Sequence, residues 1–168
     1  APEPEPSALA PGDELKDITV LLADLVRFNA DNEAKDHQVV KQSLVRYHRL
    51  MRQHVERYRG RVEELMGHGD LDVFGVPAAH EEDPERALLA ALRFPSEQEG
   101  EVLGLKFRIA ITTGEAIVQL DRYDQDRVAI IGDVVNTASR LESANKTTGT
   151  SMLVTEAIRS KTATTVRY

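Results

Sequence analysis

At 168 residues, 41% hydrophobic and 29% charged, the chain has the size and composition of one globular domain with a sizeable core, which excludes a disordered or low-complexity protein. A net charge of -7 excludes a general nucleic-acid binder, because that role needs a basic face. There is no cysteine, hence no disulfide framework, and no apolar run reaches the length of a membrane span or reads as a signal peptide.

In chain order, residues Ala1 to Asp13 (APEPEPSALAPGD) hold four of the seven prolines and read as a semi-rigid linker or disordered lead-in. The sequence starts without Met, which leaves room for an upstream segment, a membrane-bound parent included. Ile18, Val20 and Leu22 alternate with Thr19, Leu21 and Ala23, so both faces are largely apolar and a central strand is expected, running straight into Asp24. A carboxylate at that point needs a partner, and a helix or turn cap and a metal ligand are the two readings.

From about Lys35 to Arg59, Val40, Leu44, Tyr47, Met51, Val55 and Tyr58 recur at steps of three and four, the stripe of a long amphipathic helix stopped by Gly60. His37, His48 and His54 on this helix share no i, i+4 metal-binding face and are expected at the surface. Val62 to Pro77 (VEELMGHGDLDVFGVP) reads as a β-hairpin whose glycine-bounded tip crowds His68, Asp70 and Asp72 into five residues. Such a tip is either a solvated polar turn or a site.

Asp83-Pro84 opens a second helix, followed by a loop over Pro95 to Gly100. Leu105 to Thr112 alternates as a strand, Gly114 is expected to start a turn, and further strands cover Glu115 to Leu120 and Arg127 to Ile131. Gly132-Asp133 begins a helix on which Asn136 and Arg140 sit four apart on one face. A strand at Ser151 to Val154 and a short helix from Thr155 follow. The order β-α-β-β-α-β suggests an α+β sandwich, with helices over one face of a mainly antiparallel sheet.

Four ordered stretches resemble the motifs of class III nucleotidyl cyclases. DITVLLADLVRF resembles the first metal-binding motif, and ELMGHGDLDVFGVPAAHEEDPERA the hairpin that follows it. RIAITTGEAIV resembles the family's Gly-containing strand, and IIGDVVNTASRLESAN its final helix motif. The resemblance covers roughly Asp17 to Thr155. It implies the ferredoxin-like α/β sandwich of that family over residues 14–168, with the family's C-terminal end expected beyond Tyr168.

The resemblance also implies a mechanism. Two sites form in the interface of a head-to-tail dimer, where two Mg²⁺ or Mn²⁺ ions held by two aspartates bind a purine nucleoside triphosphate and activate the ribose 3'-hydroxyl. The partner lends an Asn to orient the ribose and an Arg for charge on the phosphate.

Residue by residue, Asp24 matches the first metal aspartate, and Asn136 and Arg140 match the ribose-orienting and transition-state residues. Aligned through Val73-Phe74-Gly75, His68 falls where the second metal aspartate belongs, and imidazole suits Mg²⁺ poorly. If the hairpin slips by two residues, Asp70 takes that place instead, because an even slip preserves strand alternation. Arg27 stands where the motif has Gly; it either obstructs the triphosphate or pairs with Asp24 in place of a metal. Glu64 occupies the base-selecting Lys position and Ala129 that of its Asp partner. Glu64 is therefore compatible with GTP and poor for ATP, or is a surface glutamate of a degenerate site.

Three functions compete on this reading. One is a guanylate-favouring cyclase working weakly or with Mn²⁺. Another is an inactive homology domain serving dimerisation, nucleotide sensing or regulation. The third is a heterodimer subunit lending Asn136 and Arg140 to another cyclase domain. The expected place is the cytoplasm, alone or as the cytosolic part of a larger signalling protein, without direct membrane contact.

Overall fold

A stretch apolar on both faces becomes the middle of the sheet. In this computed structural model, which describes residues 12–26, 37–66, 69–94, 106–120 and 128–168, strand β1 spans Asp13–Val26. It lies between β3 (Gly69–Phe74) and β4 (Lys106–Leu120). Ile18 and Val20 are buried on one face, and Leu21, Ala23 and Leu25 on the other. Asp13, the last residue of the expected lead-in, is already part of β1; residues 1–11 lie outside the described residues.

The strand path is completed by β2 (Arg61–Met66) beside β3 and β5 (Val128–Ile131) beside β4, giving the order β2-β3-β1-β4-β5 with every neighbour antiparallel. Strand β6 (Met152–Val154) runs parallel to β4 at Ile109 to Ile111. The α+β sandwich with a mainly antiparallel sheet is thus present. The turn expected at Gly114 is absent: Gly114 pairs with Ile18, inside a register unbroken from Asp13↔Gln119 to Val26↔Lys106. The unbroken ladder with β1 holds β4 extended through this position, and this overrides the local punctuation of one glycine.

Helices α1 (His37–Arg57) and α2 (Asp83–Leu92) cover one face of the sheet. Tyr47, Met51 and Val55 are the buried part of the α1 stripe, with Leu44 and Tyr58 packed beside them; the Val40 side chain lies outside the described residues. Tyr47 stacks on Phe107 at 5.1 Å between ring centroids and meets Phe94 edge-on at 5.7 Å. The helix ends in a way its sequence did not indicate. Arg59, with φ 64°, takes the left-handed position, and the Arg59 and Gly60 amides donate back to Glu56 and Val55. Gly60 is required for space instead, because a Cβ there would come within 2.6 Å of the Phe74 ring.

Helix α3 (Asp133–Thr148) packs on the opposite face, so the helices do not all share one side as expected. Its Val134 and Ala138 bury against Ile18, Val20 and Ala116. Thr112 Oγ1 donates to the Val134 carbonyl at 3.0 Å, and Asn145 Nδ2 to the Ile109 carbonyl at 3.1 Å. The first face is already filled by α1, α2 and the short α4 (Glu156–Thr162), whose Ile158 joins their core. The apolar stripe of α3 therefore takes the other side. The loop expected over 95–100 lies outside the described residues.

Candidate functional site

Asp24 stands near the end of β1, half-buried, on the α3 side of the sheet. Its cross-strand neighbours are Gly69 on β3 and Arg108 on β4. Residues opposite one another in an antiparallel pair share a face, so the three converge there. A Cβ on Gly69 would lie 2.9 Å from the Ala23 carbonyl oxygen and 3.4 Å from Asp24 Oδ1. Only glycine lets the hairpin approach the carboxylate this closely. From α3, Glu142 faces the same region. Burial first, and the Asp24 charge second, push its carboxyl up, against the opposing pull of Arg108 and Lys146. Glu142 Oε1 is buried without a hydrogen bond among the described residues.

Asp70 and Asp72 are not at the hairpin tip, where the sequence suggested them. Strands β2 and β3 close at Met66↔Gly69, so the tip is Gly67-His68, which lies outside the described residues. Asp70 pairs with Ala23 and Asp72 with Leu21, which turns both carboxylates to the α1 side, opposite Asp24. The two-residue slip that would place Asp70 at the tip is not the register observed. The far end of β3 resists it: Phe74 is fully buried, and Gly75, at φ +110°, leaves no room for a Cβ beside the Asp17 carbonyl.

The buried carboxylates also revise the histidines of α1. His48 is not a surface residue: its side chain is largely covered, and Nδ1 donates to Asp70 Oδ1 at 2.9 Å. His54 is half-buried, edge-on to Phe94 at 6.0 Å; the His37 side chain lies outside the described residues. Asp70 Oδ2 and both Asp72 oxygens are buried without a hydrogen bond among the described residues. Burial holds the Asp72 carboxyl well above the usual range, with the Asp70 charge adding to it. Asp70 is raised by burial, less so because His48 offsets it. Tyr47 is pushed well up by its own burial and by the two carboxylates.

Asn136 and Arg140 are both exposed on one side of α3, opposite the buried Val134, Ala138 and Asn145. They point away from their own sheet and do not meet Asp24 within the chain. Glu64 stands opposite Leu71 on β2, with a register shift between Val62 and Glu64, and its side chain lies outside the described residues. Ala129 is exposed on β5, opposite Gln119. Strands β2 and β5 lie at the two ends of the strand path, so strand order by itself does not bring these positions together. Arg27 lies outside the described residues. Sequence reasoning missed Arg108, Glu142 and His48. Arg108 is visible only through the β1–β4 register, and the other two only through which face each helix covers.

Two bridging dications need several convergent oxygen donors. Among the described residues no three of His, Cys, Asp and Glu form a group that could hold a metal ion. On this side of the sheet Asp24 and Glu142 supply oxygen donors and Arg108 an opposing charge.

The chain matches the family described as "Adenylate and Guanylate cyclase catalytic domain" over residues 11–163. It is 27% identical over 162 residues to adenylate cyclase 1 of Rhizobium meliloti (strain 1021), an alignment that takes in 91% of this chain and 24% of that protein. The chain thus spans about a quarter of that relative's length. Its fold is similar to the adenylyl cyclase CyaB from P. aeruginosa, with a TM-score of 0.76 at 24% identity over 92% of this chain and 84% of that one. It is also similar to the guanylyl cyclase Cya2, with a TM-score of 0.74 at 24% identity over 89% and 80%. A non-canonical dimeric guanylyl cyclase domain of the RhoGC fusion protein from Blastocladiella emersonii gives a TM-score of 0.74 at 21% identity over 90% and 86%. With a family match that spans every described strand and all four described helices, this chain belongs to the adenylate and guanylate cyclase catalytic domain family.

Proposed function

We propose that this domain is a nucleotidyl cyclase module that acts on a purine nucleoside triphosphate, GTP in preference to ATP, through sites shared between two chains, with weak Mg²⁺-dependent turnover. The carrying observation is the outward placement of Asn136 and Arg140, exposed on the side of α3 away from their own sheet. Groups so placed serve a substrate only across an interface. There Asn136 orients the ribose and Arg140 stabilises charge developing on the phosphate. Glu64 supports GTP because a carboxylate accepts from the guanine N1 and N2 hydrogens and meets only an acceptor at adenine N1.

When bound, divalent ions would supply nucleophile activation and charge neutralisation. The donor set around Asp24 supports weak loading, and Mn²⁺ tolerates a nitrogen ligand such as His68 better than Mg²⁺ does. A second reading follows from the same deficit: the chain lends Asn136 and Arg140 to a metal-competent partner and does not turn over itself.

The deciding experiment measures GTP and ATP turnover with Mg²⁺ and with Mn²⁺, for the native chain and for an equimolar mixture of Asp24→Asn and Arg140→Ala chains. A shared site predicts that each variant alone is inactive and that the mixture recovers part of the native rate, since mixed dimers keep one intact site. No turnover with either metal, together with activation of a metal-competent cyclase domain by native but not Arg140→Ala chain, selects the second reading. Equal turnover of ATP and GTP removes the base preference.

A further inference from the structure

Two carboxylates stand in the interior under α1, and one of them is bonded to a side chain of that helix. Asp70 is 1% exposed, its Oδ1 bonded to His48 Nδ1 at 2.9 Å and its Oδ2 buried without a hydrogen bond among the described residues, and the buried Tyr47 hydroxyl of the same helix interacts with its charge. Apolar side chains of similar volume would generally fit such a position at equal or better stability. Polar pairs that are not retained for stability are often retained for position, because a hydrogen bond fixes geometry more narrowly than apolar contact does. What this pair fixes is visible in the register. Asp70 immediately follows Gly69, and Gly69 is the residue opposite Asp24.

Strand β3 is six residues long and differently anchored at its two ends. At its C-terminal end Phe74 is fully buried, its ring packed so closely on Gly60 that a Cβ there would come within 2.6 Å of it. At its N-terminal end the first residue, Gly69, has no side chain to anchor it. The His48–Asp70 bond ties this end to α1, with Tyr47 of the same helix beside the carboxylate.

We propose that His48 is a positioning residue: through Asp70 it pins the start of β3 to α1 and so holds Gly69 against the Asp24 carboxylate. The consequence for nucleotide chemistry rests on the cyclase reading above; the structural claim does not. His48 touches neither Asp24 nor any place a phosphate could occupy on the α3 side, since it lies across the sheet. Its influence is therefore transmitted by the strand. Tightening or loosening α1 then alters the closeness of the hairpin to Asp24 without any change in the donors themselves.

The test uses the full chain and two readouts. The first is the ratio of amide hydrogen-exchange rates at Gly69 and Phe74, the two ends of β3. The second is the dissociation constant of Mn²⁺–GTP. The informative variant is His48→Leu with Asp70→Val, which removes the pair while filling its volume and leaves no orphaned charge. His48→Asn keeps an N–H donor near the Nδ1 position.

The expected result is a double variant with a melting temperature equal to or above the native one and a Gly69/Phe74 exchange ratio raised about tenfold or more. Mn²⁺–GTP binding should weaken by about tenfold. His48→Asn should stay close to native in both, a rescue that loss of packing alone does not predict. If the double variant fails to fold, His48→Ala is read by the same exchange ratio. An unchanged ratio in a folded variant overturns the proposal. A raised ratio with unchanged Mn²⁺–GTP affinity shows that the tie holds the strand but not the site, and overturns the functional half. If the native chain binds no Mn²⁺–GTP, the cyclase reading fails, and the exchange ratio alone decides whether His48 holds Gly69.

Discussion

Asp72 is fully buried, and neither of its oxygens finds a hydrogen bond among the described residues. A carboxylate in that position holds its proton to higher pH than it does in the unfolded chain, chiefly through burial and further through the Asp70 charge. The sign follows from proton counting. Above the unfolded carboxylate pKa of about 3.9, the native state keeps a proton that the unfolded chain has released. The resulting stability is complete below that pH and is lost as pH rises towards the raised folded value. Denaturation at pH 5 and pH 8 should therefore show a downward slope of stability with pH, which Asp72→Asn flattens. Asp72→Val should raise stability at pH 8 by about 1–3 kcal/mol, because it removes an unsatisfied buried group and suits a strand. A drop in melting temperature on Asp72→Val would mean that Asp72 has a partner it needs.

Gly60 illustrates the opposite kind of constraint. A Cβ there would press on the Phe74 ring at 2.6 Å and on Val55 at 2.7 Å. Gly60→Ala should therefore destabilise by about 1–3 kcal/mol through overpacking, measurable as a lower denaturation midpoint with an unchanged slope. Arg59→Gly should do the reverse, since Arg59 carries the left-handed backbone at φ 64°. A gain of about 1 kcal/mol is expected there.

At the scale of elements, α3 is the piece on which the functional reading depends. It is seated through Val134 and Ala138 at one end and through Asn145 at the other. Asn145 is buried; it donates to the Ile109 carbonyl at 3.1 Å and accepts from Thr150 Oγ1 at 2.7 Å. Asn145→Ala leaves the Ile109 carbonyl without that donor and should cost about 1–3 kcal/mol. Since Asn136 and Arg140 occupy the opposite side of the helix, a variant still folded at the assay temperature should keep its nucleotide preference. A changed GTP-to-ATP ratio in Asn145→Ala would show that the helix moves as a unit when its anchor is lost.

For the whole molecule, the division of labour between the two faces matters. Asp24, Gly69, Arg108 and Glu142 lie on the α3 side, and the buried Asp70, Asp72, Tyr47 and His48 on the α1 side. The exposed Asn136 and Arg140 point to neither. A domain built this way has separate groups for two roles and no single-chain route between them. Light scattering at tens of micromolar should accordingly show a dimer fraction, and Arg140→Ala should abolish turnover while leaving that fraction in place. A strict monomer at that concentration would remove the self-assembled site while leaving the fold intact. No helix among the described residues is long and apolar enough to cross a membrane.

The sequence alone sufficed for the features that are local or periodic. The central strand was legible because Ile18 to Ala23 is apolar on both faces, and only a strand buried on both sides tolerates that. The α1 stripe and the Asn136–Arg140 spacing were legible because helical periodicity is a property of consecutive residues. Motif order then indicated the family. What the tertiary structure decided is everything that depends on register and on which face is already occupied. Asp70 and Asp72 look like tip residues in the sequence, but pairing with Ala23 and Leu21 turns them into the interior. Gly114 looks like a turn, but a ladder along the whole of β1 carries it through. His48 looks like a surface histidine until β3 places a carboxylate beneath it. Strand parity relative to a partner is set by hydrogen bonds between residues far apart in the chain, and no local propensity encodes it.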